Sequence, residues 1–128
     1  MFLAKYESHI YAVLRIAAGF LFLCHGTQKL FDCPVSEMKM AGLMPWISGG
    51  IEFAAGLLIM IGFLTRWAAF IASGEMAVAY WSVHGLTAVL PLVNHGELAF
   101  IYCFMFLFIA AHGSGIFSID HLLKKPRI

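Results

Sequence analysis

The chain has 128 residues, of which 62% are hydrophobic and only 12% are charged, and its formal net charge is +1. A soluble domain of this length ordinarily carries about 25% charged residues, and it has too much surface to bury so many apolar side chains. No basic patch is present, so we expect no nucleic acid among the partners. The composition predicts an integral membrane protein with a single domain, residues 1–128, whose main partner is the lipid bilayer.

Four apolar segments have about the length of helices that cross a bilayer, which need roughly 20 residues. They lie at about residues 10–31, 46–64, 67–84 and 97–112. Polarity does not alternate along them, which argues against the strands of a β-barrel. The sequence therefore predicts an all-α, four-helix membrane bundle in which neighbouring helices are antiparallel.

The connections between these segments are short and support helical hairpins. Residues 64–66 form nearly the whole link between the second and third segments. Asn94 and Glu97 have the spacing of a capping box, which predicts the start of the fourth helix. Glycines at 113 and 115 are predicted to end that helix, and residues 118–125 are predicted to form a short interfacial helix.

Positive charge is distributed unevenly between the two ends of this predicted bundle. One end, with the N-terminus, the short hairpin and the tail, carries Lys5, Arg66, Lys124, Lys125 and Arg127. The other end carries Lys39, and Lys29 near the end of the first helix. Because Lys and Arg accumulate on the cytoplasmic side, both termini are predicted to face the cytoplasm.

Charged side chains inside the apolar segments are costly, at least ~2.5 kcal/mol each near a helix centre, so they are expected to pair or to line a cavity. Arg15 and Glu75 enter from the cytoplasmic side to similar depth, each on a stripe of small residues. Small residues mark close helix contacts in membranes. The sequence therefore predicts a buried Arg15–Glu75 ion pair.

Six other polar side chains are predicted to share the outer third of the bilayer: His25, Gln28, Lys29, Glu52, Tyr80 and His84. One interpretation is an outward-facing pocket for a small ligand, a quinone head group or a proton, in which Glu52 pairs with Lys29 or His25. The other interpretation is that the same residues close this end of the bundle with hydrogen bonds. The sequence contains no metal-binding spacing and no nucleophile–base pair, so the catalytic residues, if any, are unknown.

Four motifs in the chain resemble the DoxX family of small bacterial and archaeal membrane proteins. They are H-G-x-Q-K-L-F at 25–31, E-F-x-x-G-L-L-x-x-x-G-F-L-T-R at 52–66, G-E-L-A-x-x-Y at 96–102 and G-x-G-x-x-S-x-D at 113–120. The resemblance implies a four-helix inner-membrane protein that works near quinone or thiol redox chemistry. The family takes its name from a subunit associated with archaeal quinol oxidase and thiosulfate:quinone oxidoreductase. It supplies no agreed catalytic residues, so none are transferred to this chain.

Three functional hypotheses are compatible with these features. The first is an accessory subunit that docks a redox partner or a quinone at the membrane. The second is a small oxidoreductase acting on a quinone or a sulfur compound. The third is a small-molecule transporter or an assembly chaperone without redox activity. Four short helices form only a small pocket, so we also expect a homo-oligomer or a larger redox partner.

Overall fold

The structure is a computed structural model that describes residues 1–36 and 41–124. After a 3-10 turn at Phe2–Tyr6, its helices are α1 (Glu7–Phe31), α2 (Met44–Ile61), α3 (Thr65–Ala79), α4 (Pro91–Asn94), α5 (Glu97–His112) and α6 (Ile119–Lys124), and a π-helical turn at Tyr80–His84 continues α3. The all-α class is therefore confirmed, with α1, α2, α3 and α5 as the main helices. Their bounds lie close to the predicted ones.

Two helical segments are long and apolar enough to cross a membrane: the first 3-10 turn together with α1 (Phe2–Phe31), and α2 (Met44–Ile61). Helix α5 (Glu97–His112) is a shorter apolar helix. Large apolar side chains cover much of the outer surface of the described residues, and several, such as Phe20, Trp67 and Phe104, are more than half exposed. An apolar surface of this extent is typical of a protein whose outer faces meet lipid or a partner.

Glycines allow α1 and α2 to pack backbone against backbone. A Cβ atom added to Gly19, Gly26 or Gly56 would lie 2.3–2.5 Å from a backbone nitrogen of the facing helix. Small residues at such contacts are the usual means by which membrane helices approach closely. This first helix pair is therefore fixed in register, which sets the position of the polar residues beyond Gly26.

The second helix pair is formed by α3 and α5. Buried alanines of α3, such as Ala69 and Ala72, let the two helices approach closely, and the hydroxyl of Ser73 donates a 2.7 Å hydrogen bond to the backbone oxygen of Cys103. The two pairs meet through aromatic rings, since the Phe22 ring of α1 lies 4.7 Å from the Phe106 ring of α5. Toward one end of the bundle the pairs separate and leave a cavity.

We call that end the loop end; it carries Phe31, Met44 and the segment 85–96. The opposite end, which carries Glu7, Arg66 and α6, is called the terminal end. At the terminal end α2 stops at Ile61 because Gly62 adopts a left-handed conformation, with φ of 72°. The amides of Gly62 and Phe63 bond back to the oxygens of Ile59 and Leu58, but the carbonyl groups at a helix end still have acceptor capacity that the helix does not fill.

Arg15 binds these carbonyl groups. Its fully buried guanidinium donates hydrogen bonds to the backbone oxygens of Ile59 (2.6 Å), Met60 (2.8 Å) and Phe117 (2.7 Å). The predicted Arg15–Glu75 ion pair is therefore wrong. The carbonyl groups at the end of α2 lie directly beside Arg15, whereas Glu75 faces the cavity near the loop end.

Two side chains at the terminal end, Asp120 after α5 and Arg66 at the start of α3, cap two more helix ends. One carboxylate oxygen of Asp120 accepts hydrogen bonds from the amide (3.0 Å) and hydroxyl (2.9 Å) of Thr65, and the other accepts one from the Leu64 amide at 3.0 Å. Arg66 donates to the backbone oxygens of Ala110 (2.9 Å) and Ala111 (2.6 Å). The end of the motif at 52–66 thus contacts the motif at 113–120, and the two motifs hold helix ends together.

Asp120 is well placed for this role because a negative charge at a helix N-terminus is stabilised by the exposed amides and the helix dipole. Burial alone would raise the pKa of Asp120, but the hydrogen bonds from Thr65 and Leu64 outweigh burial and hold that pKa below its usual value. Asp120 therefore remains a carboxylate at neutral pH and keeps α6 attached to the start of α3.

Candidate ligand pocket

A cavity of about 490 Å³ lies between the two helix pairs at the loop end. Its apolar wall includes Phe22, Met76 and Ala99, and its polar residues come from all four main helices and the loop that follows the π-helical turn. The polar residues are His25, Lys29, Ser48, Glu52, Glu75, Ser82, His84, His95 and Tyr102. A volume of this size is within the range of small-molecule sites, roughly 300–1,000 Å³.

The cavity contains an ion pair between α1 and α2. The ammonium of Lys29 lies 2.7 Å from one carboxylate oxygen of Glu52 and donates a second hydrogen bond, at 2.9 Å, to the hydroxyl of Ser48. Glu52 is only 3% exposed. The predicted pairing of Glu52 with Lys29 is present in the structure, and the close packing at Gly26 explains it.

Glu75 faces the same cavity from α3, whereas its predicted position was beside Arg15. Both of its carboxylate oxygens are buried, and no donor among the described residues forms a hydrogen bond with them. The second carboxylate oxygen of Glu52 is buried and unpartnered as well. A buried acceptor without a donor is uncommon in folded proteins and calls for an explanation.

The imidazole and phenol groups of the cavity have defined positions. The ring of His25 lies edge-on to the ring of Tyr102, with centroids 6.2 Å apart. The Nδ1 atom of His84 lies 3.1 Å from the backbone oxygen of Asn94. The position of Tyr102 could have been predicted from the sequence. Ala99 and Tyr102 are three residues apart in the motif at 96–102, so they share one helix face.

Two of the six residues predicted to share this pocket lie outside its lining. Tyr80 donates its hydroxyl hydrogen to the backbone oxygen of Val89 and accepts a 3.1 Å hydrogen bond from the side chain of Asn94. Tyr80 therefore holds the loop that follows α3. Gln28 does not line the cavity; its backbone oxygen accepts the Asp32 amide at the end of α1.

The predicted capping box at the start of α5 is wrong in its bonding. The helix begins at Glu97, as predicted. However, the side-chain oxygen of Asn94 accepts a 2.8 Å hydrogen bond from the amide of Gly96. Its side-chain nitrogen donates to the Tyr80 hydroxyl and to the backbone oxygen of Ala88. Asn94 thus orders the loop rather than the first helical turn.

The described residues offer donors and acceptors to a ligand but no obvious metal site. Within residues 1–36 and 41–124, no group of three or more His, Cys, Asp or Glu side chains is placed to hold a metal ion. The cavity instead combines an ion pair, unpartnered carboxylate oxygens and aromatic walls. Such a site suits a small amphipathic organic molecule.

Fold and site together define a small helical protein with apolar outer faces and a polar cavity between two helix pairs. A family model described as DoxX matches residues 10–85, more than half of the chain. The chain therefore belongs to the DoxX family of membrane proteins, which confirms the resemblance noted in its motifs.

Individual relatives agree with this assignment. An uncharacterized protein of Haemophilus influenzae is 36% identical over 130 residues, covering 96% of this chain and 97% of the relative. The inner membrane protein YqjF of Escherichia coli K12 is 32% identical over 126 residues, covering 88% of this chain and 91% of the relative. No solved structure matches the chain.

Proposed function

We propose that this chain is an inner-membrane accessory subunit that holds a membrane-soluble molecule of the quinone class in the loop-end cavity. It acts there beside a quinone- or thiol-linked redox partner, or in a complex of several copies. The name of the Escherichia coli relative supports the inner-membrane location, and the redox setting is what the resemblance to the DoxX family implies. The observation that carries the ligand proposal is the Lys29–Glu52 ion pair, whose carboxylate is buried and which opens onto a cavity of about 490 Å³.

The orientation that we propose places the terminal end in the cytoplasm. Lys5, Arg66 and Lys124 lie at that end of the described chain, and Lys29 lies at the loop end. Lys39, Lys125 and Arg127, which also entered the charge count, lie outside the described residues. Cytoplasmic accumulation of Lys and Arg supports this orientation, and the cavity then opens in the outer half of the bilayer.

The ion pair supplies a donor for a ligand oxygen. An ammonium group carries three N–H donors, and the Lys29 ammonium uses two of them, on Glu52 and Ser48. A carbonyl oxygen of a quinone would accept the third. The ring of the ligand would lie against Phe22 and Tyr102, where contact between aromatic rings is favourable.

Glu52→Gln is expected to reduce the amount of quinone that copurifies with the protein by about tenfold or more, because it uncouples Lys29 from its charged partner. Native mass spectrometry of the protein in a mild detergent measures the retained ligand. Glu97→Gln serves as the matched control, since Glu97 is exposed and does not line the cavity.

Glu52→Gln is also expected to lower stability, by less than the roughly 3–5 kcal/mol typical of a fully buried pair, because the Lys29 side chain is 27% exposed. The double variant Lys29→Met with Glu52→Leu replaces the pair as a unit and is expected to fold but to bind no quinone. If the wild-type protein retains no small molecule, and both variants behave like it, the polar residues only close the bundle and the proposal is wrong. That result would favour a transporter or assembly chaperone without redox activity.

A further inference from the structure

We propose that the ligand of the loop-end cavity carries an apolar tail, and that this tail passes beside Val78, between α2 and α3, into the lipid. This inference rests on the ligand class of the proposed function. It adds that the ligand is a tailed lipid rather than a small ring without a tail, and it names the residue at which the tail leaves the cavity.

Val78 lies at an opening in the side of the cavity. A side chain that lines a cavity and is also exposed on the outer surface lies at the rim of that cavity, and six residues meet both conditions. Five of them lie in the segment 85–96 or within two residues of a helix end, and they border a mouth at the loop end: Met44, Ser82, Val83, His95 and Leu98. The sixth, Val78, is 61% exposed and lies six residues before the end of the π-helical turn, roughly 9 Å deeper in the bundle.

This side opening lies between α2 and α3. Ser73, whose hydroxyl donates to the backbone oxygen of Cys103, marks the face of α3 that packs against α5. Val78 follows Ser73 by five residues, which is about 140° round the helix, so it lies away from α5. The residues of α2 that line the cavity near this depth are Ser48 and Glu52.

The two sides of the cavity differ at this depth. Between α1 and α5 the ring of His25 contacts the ring of Tyr102, with centroids 6.2 Å apart. His25 lies six residues before the end of α1, and so it lies at about the depth of Val78. Between α2 and α3 no hydrogen bond, ion pair or ring contact joins residues 44–52 to residues 75–84, all of which the structure describes. A tail can therefore leave on the α2–α3 side without breaking a specific contact.

The outer surface of α3 continues the path from this opening toward the terminal end. Gly74, one turn before Val78, has open space where a Cβ atom would lie. Ile71, seven residues before Val78, lies on the same helix face and is 53% exposed. A tail that followed this apolar surface would keep its CH₂ groups out of water, which stabilises the complex. The mouth at the loop end, by contrast, carries the polar side chains of Ser82 and His95.

The test compares 2,3-dimethoxy-5-methyl-1,4-benzoquinone, which has no tail, with its 6-decyl derivative. Each compound is titrated by calorimetry into the purified protein in the same detergent, and the ratio of the two dissociation constants is compared between variants, so that partitioning into micelles cancels. Val78→Trp fills the opening with an indole ring. It is expected to shift the ratio about tenfold or more against the decyl compound, which corresponds to lost burial of about two CH₂ groups.

Gly74→Phe blocks the path outside the opening and leaves the cavity lining intact, so it is expected to shift the ratio in the same direction. It decides the question if Val78→Trp fails to fold. Val13→Trp is the matched control, since Val13 is 65% exposed on α1 and does not line the cavity. Its ratio is expected to equal that of the wild-type protein.

An unchanged ratio in folded Val78→Trp, or an equal shift in Val13→Trp, would overturn the side opening and leave the proposed function intact. If Val78→Trp does not fold, an unchanged ratio in Gly74→Phe has the same meaning. If the tail-less compound binds too weakly to titrate, the affinity for the decyl compound is compared between the same variants. Binding of neither compound by the wild-type protein would overturn the proposed function and this inference with it.

Discussion

Gly26→Ala is expected to destabilise the protein by about 3 kcal/mol or more, the upper range for overpacking of a tightly packed interior. The added Cβ would lie 2.3 Å from the backbone nitrogen of Phe53 and 2.7 Å from its Cα. Backbone atoms in the middle of a helix cannot rotate away as the end of a side chain can, so α1 and α2 must separate. The displacement would also move Lys29 away from Glu52.

A melting curve in detergent measures this effect, and the chain contains its own control. Gly50 and Gly74 also lie in helices, but an added Cβ at either position meets nothing within 4 Å. Alanine there is expected to be neutral or to stabilise by up to about 1 kcal/mol, because glycine is the more costly residue in a helix. Equal melting temperatures for Gly26→Ala and Gly50→Ala would show that the α1–α2 contact is not as close as described.

Arg15→Met is expected to cost about 3 kcal/mol or more, since it leaves three backbone oxygens without a charged donor, each hydrogen bond of this kind being worth roughly 1.5–3 kcal/mol. The affected oxygens belong to Ile59, Met60 and Phe117. The variant therefore loosens the end of α2 and releases the segment before α6 at once. Arg15→Lys is expected to recover only part of the loss, because an ammonium lacks the planar fork of donors.

A double-mutant cycle between Arg15 and Glu75 distinguishes the observed bonding from an ion pair. Because the two side chains serve opposite ends of the bundle, the effects of Arg15→Met and Glu75→Gln on stability are expected to add within about 0.5 kcal/mol. Melting or denaturant titration of the two single variants and the double variant measures the coupling. If the double variant loses much less stability than the two single variants lose together, Arg15 and Glu75 interact as an ion pair, and the structure is contradicted.

The helices were predictable because their signals are local. Apolar segments, the glycine after Ile61 and the short link at 64–66 place the ends of the main helices within the sequence itself. The pairing of Arg15 was not predictable in this way. Two charges at similar depth on small-residue stripes can face different neighbours, and backbone carbonyl groups at a helix end carry no residue-specific signature.

The pocket was predictable in part, because the positions of some of its residues follow from local helical spacing. His25 and Lys29 are four residues apart on one helix and share a face with a glycine between them, so their approach to Glu52 follows from regular helical spacing. Tyr80 and His84 have that spacing too, but they lie in a π-helical turn, where residues four apart no longer align. The Tyr80 hydroxyl consequently bonds residues of the loop at 85–96. Glu75 lines the cavity, which its helical spacing did not predict.

The outward opening of the polar cavity is tested most directly by cysteine accessibility in intact cells. In a background with Cys24, Cys33 and Cys103 replaced by alanine, Ser48→Cys places a thiol in the cavity wall and Ser8→Cys places one at the exposed terminal end. A small, membrane-impermeant methanethiosulfonate reagent added outside is expected to modify Ser48→Cys and to leave Ser8→Cys unmodified until the membrane is permeabilised. Modification of Ser8→Cys from outside, or no modification of Ser48→Cys from either side, would contradict the outward-facing pocket.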